Sequence, residues 1–313
     1  MPINMGYKKD YGIDFNAKYE ALKCGRKQKP SEHFRDRAKG AIAGMCIADA
    51  LGSPIEFHPK TGHEWIEDMQ PCPHWRLGKG FYTDDAAMGL NIMQGFLDNP
   101  KKYEVKNVAQ AFAAWLYNAQ WSSSTFTFGI GSNCGAGIQH FLKTGSLKNG
   151  GEDAQGNGAI MRFAPSWFVA QKVAKTKSAR LKVMTDINDI DHDSSVCRKT
   201  IEQLRNIFDA HMAGIRSDEK TMATSWKDAK EGGWCVATLD SAIWAFNITN
   251  NFEDAVVASV NLGGDADSRG SVTGQIAGCY YGYKAIPKRW LADMNNWEKT
   301  EAFIDMFLDA VGF

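Results

Sequence analysis

Two short acidic runs, Thr83-Asp84-Asp85 and Asp265-Ala266-Asp267-Ser268, combine the residue types that hold a hard divalent cation. Carboxylates held close together raise each other's pKa unless a cation neutralises them. Thr83 and Ser268 add hydroxyl oxygens, which suit an oxygen-seeking ion such as Mg²⁺ or Mn²⁺. Gly263, Gly264 and Gly270 bracket the second run and let the backbone bend tightly there. If the runs meet, their four carboxylates need about four positive charges, which two divalent ions supply, and paired-ion sites serve hydrolysis. Spacing alone does not bring them together. Each run also reads as an ordinary helix start, where an acidic side chain contributes about 0.3–1 kcal/mol.

The elements that must position these runs read as helices. Apolar residues recur at intervals of three to four after Phe34 (Ala38, Ile42, Met45, Ile47). The same period marks Asp84–Leu97, 108–117, 201–212, 236–246 and 300–311. Period-two alternation is scarce, so the expected fold class is all-α, a compact single-domain arrangement of many helices. Gly270, Gly274, Gly278 and Gly282 recur every fourth residue along one stripe. Each interior glycine costs a helix roughly 0.8–1.0 kcal/mol against alanine. The stripe therefore predicts a helix pressed closely on a neighbour, holding Asp265 and Asp267 rigidly. Residues 1–34 show little periodic apolar pattern, with aromatic residues at Tyr7, Tyr11, Phe15 and Tyr19. They read as an extension lying on the core or on a partner, or as a loosely ordered tail, and residues 35–313 as a single folded domain.

Bulk composition narrows the class. The 313 residues are 44% hydrophobic and 23% charged, ordinary for a globular chain. Lys+Arg and Asp+Glu are both 36, so no basic excess points to nucleic acid and no polybasic run points to a membrane. The seven cysteines include no Cys-x-x-Cys pair and no histidine at zinc-ligand spacing, which reads as scattered reduced thiols. With no secretory signal and no apolar stretch of membrane-spanning length, a cytoplasmic location is expected.

Five segments carry a resemblance to the ADP-ribosylglycohydrolases. Gly40-Ala41-Ile42-Ala43-Gly44 through Asp49-Ala50-Leu51-Gly52-Ser53-Pro54-Ile55-Glu56 resembles the family's opening helix and glutamate loop. Tyr82-Thr83-Asp84-Asp85 resembles its first metal motif, and Gly156-Asn157-Gly158-Ala159-Ile160-Met161-Arg162 its Gly-rich loop. Asp191-His192-Asp193-Ser194 resembles a short Thr-His motif. Asn261 to Ser268, continuing to Gly282, resembles the second metal motif with its helix and is the most specific of the five. Departures are Ala48 for a common glycine, Ala86 for a second threonine, Ser268 for threonine, and Gly129-Ile130-Gly131 where many members have Asp-Ile-Gly.

The resemblance implies a binuclear Mg²⁺ or Mn²⁺ centre held by Thr83, Asp84, Asp85, Asp265, Asp267 and Ser268. It implies hydrolysis of the N-glycosidic bond between ADP-ribose and a protein side chain, most often arginine, so that an ADP-ribosylated protein is the substrate. Asp84 or Asp85 would position or deprotonate water, and Glu56 would contact the scissile sugar or move a proton. Gly156, Asn157, Gly158, Met161, Arg162 and His192 would contact the substrate, the glycines exposing backbone N–H groups to the diphosphate. No Walker lysine accompanies them, so a triphosphate is not expected. Trp121, Phe126 and Phe128 read as core residues, with a stacking face for adenine as the other reading. Since some family members act as immunity proteins, a second reading is that residues 1–34 sequester an ADP-ribosyltransferase toxin, with or without hydrolysis.

Overall fold

A computed structural model describes residues 11–313. The regular elements among them are helices: α1 (Phe15–Lys23), α2 (Phe34–Gly52), α3 (Asp84–Leu97), α4 (Val105–Asn118), α5 (Ser132–Thr144), α6 (Phe163–Val173) and α7 (Lys177–Asn188). They continue as α8 (Ser195–Met212), α9 (Cys235–Ile248), α10 (Phe252–Val260), α11 (Ala266–Tyr281), α12 (Lys288–Asp293) and α13 (Trp297–Val311). Pairing of extended backbone among the described residues is confined to two isolated antiparallel bridges, Cys72 with Leu77 and Gly156 with Trp234. The expected all-α class is the one observed, and one hydrophobic core runs from Ala38 to Val311.

At its centre α2 and α11 lie against each other. A helix of small and apolar residues all round belongs in an interior, and α2 is buried continuously from Gly40 to Gly52. Pressed on it is the glycine stripe of α11. A Cβ on Gly270 would stand 2.5 Å from the Ala48 carbonyl oxygen, and Cβ atoms on Gly274 and Gly278 would collide with the Gly44 and Gly40 carbonyls. The collisions are mutual, since Gly40, Gly44 and Gly52 meet α11 backbone in the same way. The fourth glycine has another role: Gly282 follows the helix with φ +85° and caps it.

Every residue of α11 is buried, although Asp267, Ser268, Arg269, Ser271, Thr273 and Gln275 there are polar or charged. Its polar side chains hold backbone from other elements. Ser271 Oγ donates to the Met161 carbonyl at 2.7 Å, Gln275 Nε2 donates to it at 2.6 Å, and Gln275 Oε1 accepts from Ala164 N–H at 2.7 Å. The helix that begins with the second acidic run therefore also fixes the segment leading from the Gly156 loop into α6.

The N-terminal region departs from the expectation of little pattern. Phe15, Tyr19 and Leu22 are spaced as one face of a helix, and α1 forms there with Asp14 Oδ1 accepting from Ala17 N–H. Phe15 and Tyr19 are buried in a second apolar cluster with Trp244, Ala258 and Leu262. These two rings are consequently engaged within the chain rather than presented to a partner. Tyr7 lies outside the described residues. No helix among the described residues is long and apolar enough to cross a membrane.

Candidate active site

The two acidic runs meet. Thr83 Oγ1 lies 3.1 Å from Asp85 Oδ2 and 3.3 Å from Asp267 Oδ2, so one hydroxyl bridges the start of α3 to the start of α11. Asp84, Asp85 and Asp267 place carboxylate oxygens within 4.8 Å of one another, and so do Glu56, Asp265 and Asp267. Asp267 belongs to both groups. Ordinary capping does not explain the arrangement, because neither Thr83 nor Asp265 makes a side-chain cap bond to its own helix.

Neighbouring elements impose this geometry. Asp49, near the end of α2, accepts from Thr83 N–H at 2.9 and 3.0 Å and from Ala86 N–H at 2.9 Å. It thus caps α3 from another helix and turns Thr83, Asp84 and Asp85 toward α11. Its sequence signal is an aspartate within the run Ala-Asp-Ala-Leu-Gly of a helix otherwise fit for the interior. On the other side, Asn157 Nδ2 donates to Asp265 Oδ2 at 2.8 Å and to Thr238 Oγ1 at 3.1 Å, while Asn157 N–H donates to the Gly233 carbonyl at 2.8 Å. Asn157, expected to touch substrate, thereby also orients a carboxylate.

Burial sets the electrostatics. Asp84, Asp85 and Asp267 are removed from water, and that desolvation, reinforced by the other carboxylates, pushes each well above the ordinary aspartate range. Burial also raises Asp49, to about 7, against the N–H bonds that favour its charge. Asp85 Oδ1 is buried with no hydrogen-bond partner. An orphaned carboxylate oxygen among repelling neighbours is an unfavourable arrangement for protein alone and a favourable one for a hard cation. The donor set therefore fits divalent metal.

A cleft of about 990 Å³ opens onto this cluster. Glu56, Asp84, Asp265, Asp267 and Ser268 line it, as do Gly156, Asn157, Gly158, Met161 and His192. Thr83 and Asp85 lie behind that lining. Phe126 and Phe128 also line the cleft, whereas Trp121 stacks on Phe303 at 3.8 Å between centroids. Gly129 sits at φ +81°, and a Cβ there would stand 2.6 Å from Asp84 Oδ1. Its lack of a side chain keeps the approach to that carboxylate open.

Arg162 is placed differently from the expectation. Its side chain is fully buried, and both terminal nitrogens bond to the Asp191 carboxylate, one of them to Oδ2 at 2.8 Å. It does not line the cleft: standing at the start of α6, just after the Gly-rich loop, it points into the interior. Asp191 in turn bonds His192 Nδ1 at 2.9 Å. Burial alone would raise Asp191, but the Arg162 guanidinium and His192 hold it well below the ordinary range. Arg162 therefore acts through Asp191 to set the ring of His192. That ring lies where a side chain on Gly158 would fall, 2.9 Å from its Nε2, which accounts for the glycine. Cys134 stands with Asp191 and His192 as a compact group, but Arg162 already neutralises the aspartate.

Glu56 has partners that sequence patterns did not reveal. Its Oε2 accepts from Trp75 Nε1 at 3.3 Å and lies 3.5 Å from His74 Nε2. Burial raises the Glu56 carboxyl despite His74. His74 and Trp75 belong to the irregular segment before α3, where no periodicity marks them. Glu231, Gly232 and Gly233, also unmarked, line the cleft beside Asp265.

Comparison with known proteins gives the same picture. The family model described as ADP-ribosylglycohydrolase matches residues 30–312. The chain is 29% identical over 298 residues to "ADP-ribosylarginine hydrolase Tri1" of Serratia proteamaculans, covering 90% of this chain and 81% of that protein. It is 26% identical over 317 residues to "ADP-ribosyl-[dinitrogen reductase] glycohydrolase" of Rhodospirillum rubrum, covering 90% and 97%. A solved structure titled "ADP-ribosylglycohydrolase-related protein complex" superposes with a TM-score of 0.75 at 27% identity, over 90% of this chain and 100% of that one. With its core helices, converging carboxylates and Gly-rich loop matched along nearly its whole length, the chain belongs to the ADP-ribosylglycohydrolase family.

Proposed function

We propose that this hydrolase cleaves the N-glycosidic bond between ADP-ribose and a modified arginine side chain of a protein, and that it requires Mg²⁺ or Mn²⁺. The observation that carries the reading is the pair of carboxylate groups sharing Asp267 at the floor of the cleft. Two relatives whose names specify arginine hydrolysis favour arginine over other side chains. Thr83, Asp84, Asp85, Asp265, Asp267 and Ser268 would hold two ions, which when bound neutralise the cluster, orient ribose hydroxyls and acidify water.

The remaining chemistry falls to the chain. Glycosidic cleavage develops positive charge on the sugar, which the surrounding carboxylates stabilise. Asp84 lines the cleft and is the group to accept a proton from the attacking water. Glu56, raised by burial, retains a proton more readily than an exposed glutamate and is the group to donate to the departing nitrogen. His192 and the Gly156–Gly158 backbone face the same space and would hold the diphosphate, while Phe126 and Phe128 offer ring faces to adenine.

The test is release of free ADP-ribose from an ADP-ribosylated arginine peptide by protein loaded with Mg²⁺ or Mn²⁺. Release that disappears with chelator and in Asp267→Ala supports the reading. Intact arginine-linked substrate after incubation with either ion overturns it.

A further inference from the structure

Helix α1 ends before the segment matched by the family model, which begins at residue 30, yet it reaches one wall of the cleft through a continuous series of contacts. Tyr19 stacks on Trp226 with ring planes 13° apart and centroids 5.6 Å apart. Phe15 lies against the same indole at 5.8 Å, and Trp226 Nε1 donates to Asn16 Oδ1 at 3.0 Å. Tyr19 is itself anchored, because its hydroxyl donates to the Ala258 carbonyl of α10 at 3.2 Å and its ring meets Trp65 and Trp244.

Trp226 opens the segment that ends in Glu231, Gly232 and Gly233. Lys60 Nζ fastens its backbone at the carbonyls of Trp226 (2.9 Å), Lys227 (3.1 Å) and Ala229. Arg269, fully buried in α11, donates to the Lys230 carbonyl at 3.1 Å. Beyond it, Glu231 stands where a side chain on Gly264 would fall, one residue before Asp265, and the Gly233 carbonyl accepts from Asn157, which orients Asp265. Gly232 has φ +102°, a backbone conformation that glycine adopts without a Cβ clash, and the segment is held from its base at Trp226 to its end at Gly233 by these contacts with other elements.

We propose that α1 is an internal brace for this wall: Tyr19, with Phe15 and Asn16, seats Trp226 and thereby positions residues 226–233 for substrate. Tyr19 is a positioning residue, since it touches neither the cleft nor its carboxylates. The proposal rests on the reading of the cleft as an ADP-ribose site. An unbraced segment must be ordered when substrate binds, which weakens binding while leaving Asp84, Asp85 and Asp267 in place.

Free ADP-ribose titrated calorimetrically into metal-loaded protein, steady-state kinetics on the arginine-linked peptide, and amide hydrogen exchange of residues 223–233 together test this. Tyr19→Ala should raise Kd and KM about tenfold, the cost of ordering one or two loop residues, with kcat within about twofold and faster exchange at 223–233. Tyr19→Phe, which keeps the stack and loses only the bond to the Ala258 carbonyl, should restore most of the binding lost in Tyr19→Ala. Should Tyr19→Ala not fold, Asn16→Ala removes only the indole's partner and should show the same trend in exchange and Kd. Wild-type affinity and exchange in Tyr19→Ala overturn the brace, as does a fall in kcat with unchanged KM. If wild-type protein itself ignores ADP-ribose, the functional reading fails, and the exchange measurement still decides whether α1 holds the segment.

Discussion

The carboxylates at the cleft floor put stability and function in opposition. Asp84, Asp85 and Asp267 are buried and mutually repelling, so they destabilise the metal-free fold and create affinity for cations. Asp267→Asn should therefore melt at a higher temperature than wild type in chelator, and lose both hydrolysis and most of the melting-temperature gain that Mg²⁺ or Mn²⁺ gives wild type. Calorimetry with and without metal measures this, and an unchanged metal response would remove Asp267 from the ligand set. Arg162 and Asp191 show the opposite balance, a buried pair that is well matched. Asp191→Ala leaves the guanidinium in the interior without its counter-charge and should cost about 3–5 kcal/mol in urea denaturation. The same change releases His192, so ADP-ribose affinity should fall in whatever fraction remains folded.

At the scale of elements, the contact of α2 with α11 decides where the carboxylates lie. Helix propensity predicts that Gly274→Ala stabilises by roughly 0.8–1.0 kcal/mol. Contact predicts the reverse, because the new methyl would enter the Gly44 carbonyl. Backbone cannot rotate aside as a side chain can, so overpacking of about 1–3 kcal/mol should prevail. Denaturation should show net destabilisation, with activity reduced more than stability because α11 carries Asp267. A stabilised Gly274→Ala would mean that the two helices are not so close. The stripe itself was readable in the sequence, since repeated interior glycines need a close neighbour. Which helix that neighbour is was not readable, because Gly40 and Gly44 sit in an Ala-rich run that any core helix could share.

For the molecule as a whole, one group buried away from the carboxylate cluster adds a pH dependence of its own. His211 is fully buried, with Nδ1 at 3.0 Å from the Ile276 carbonyl and Nε2 at 3.0 Å from Ser217 Oγ. Burial, aided by nearby Arg216, pushes it from 6.5 down to about 4. A depressed histidine is neutral in the fold and takes a proton more readily unfolded. Its contribution is therefore complete above pH 6.5 and is lost as pH falls toward 4, about 3 kcal/mol over that window. The buried carboxylates, raised in the fold, act with the opposite sign, so the His211 share is read as a difference: relative to wild type, His211→Gln should gain unfolding free energy as pH falls from 6.5 to 4. An equal slope in the variant would assign the acid sensitivity to other groups.

The sequence by itself determined the helical class, the starts of α3 and α11, and most of the polar residues that the fold brings to the cleft, because period, composition and short motifs are local properties. It also held the helical spacing of Phe15, Tyr19 and Leu22, although their polar surroundings masked it. Only tertiary structure decided that the two acidic runs share one floor, since that depends on α2 and α11 lying backbone to backbone across more than two hundred residues of chain. It likewise turned Arg162 inward to Asp191, made Asp49 a cap for a different helix, and placed His74 and Trp75 on Glu56. Each is a pairing between separate segments, set by burial and by the hydrogen-bonding needs of buried polar groups, and no local pattern records it.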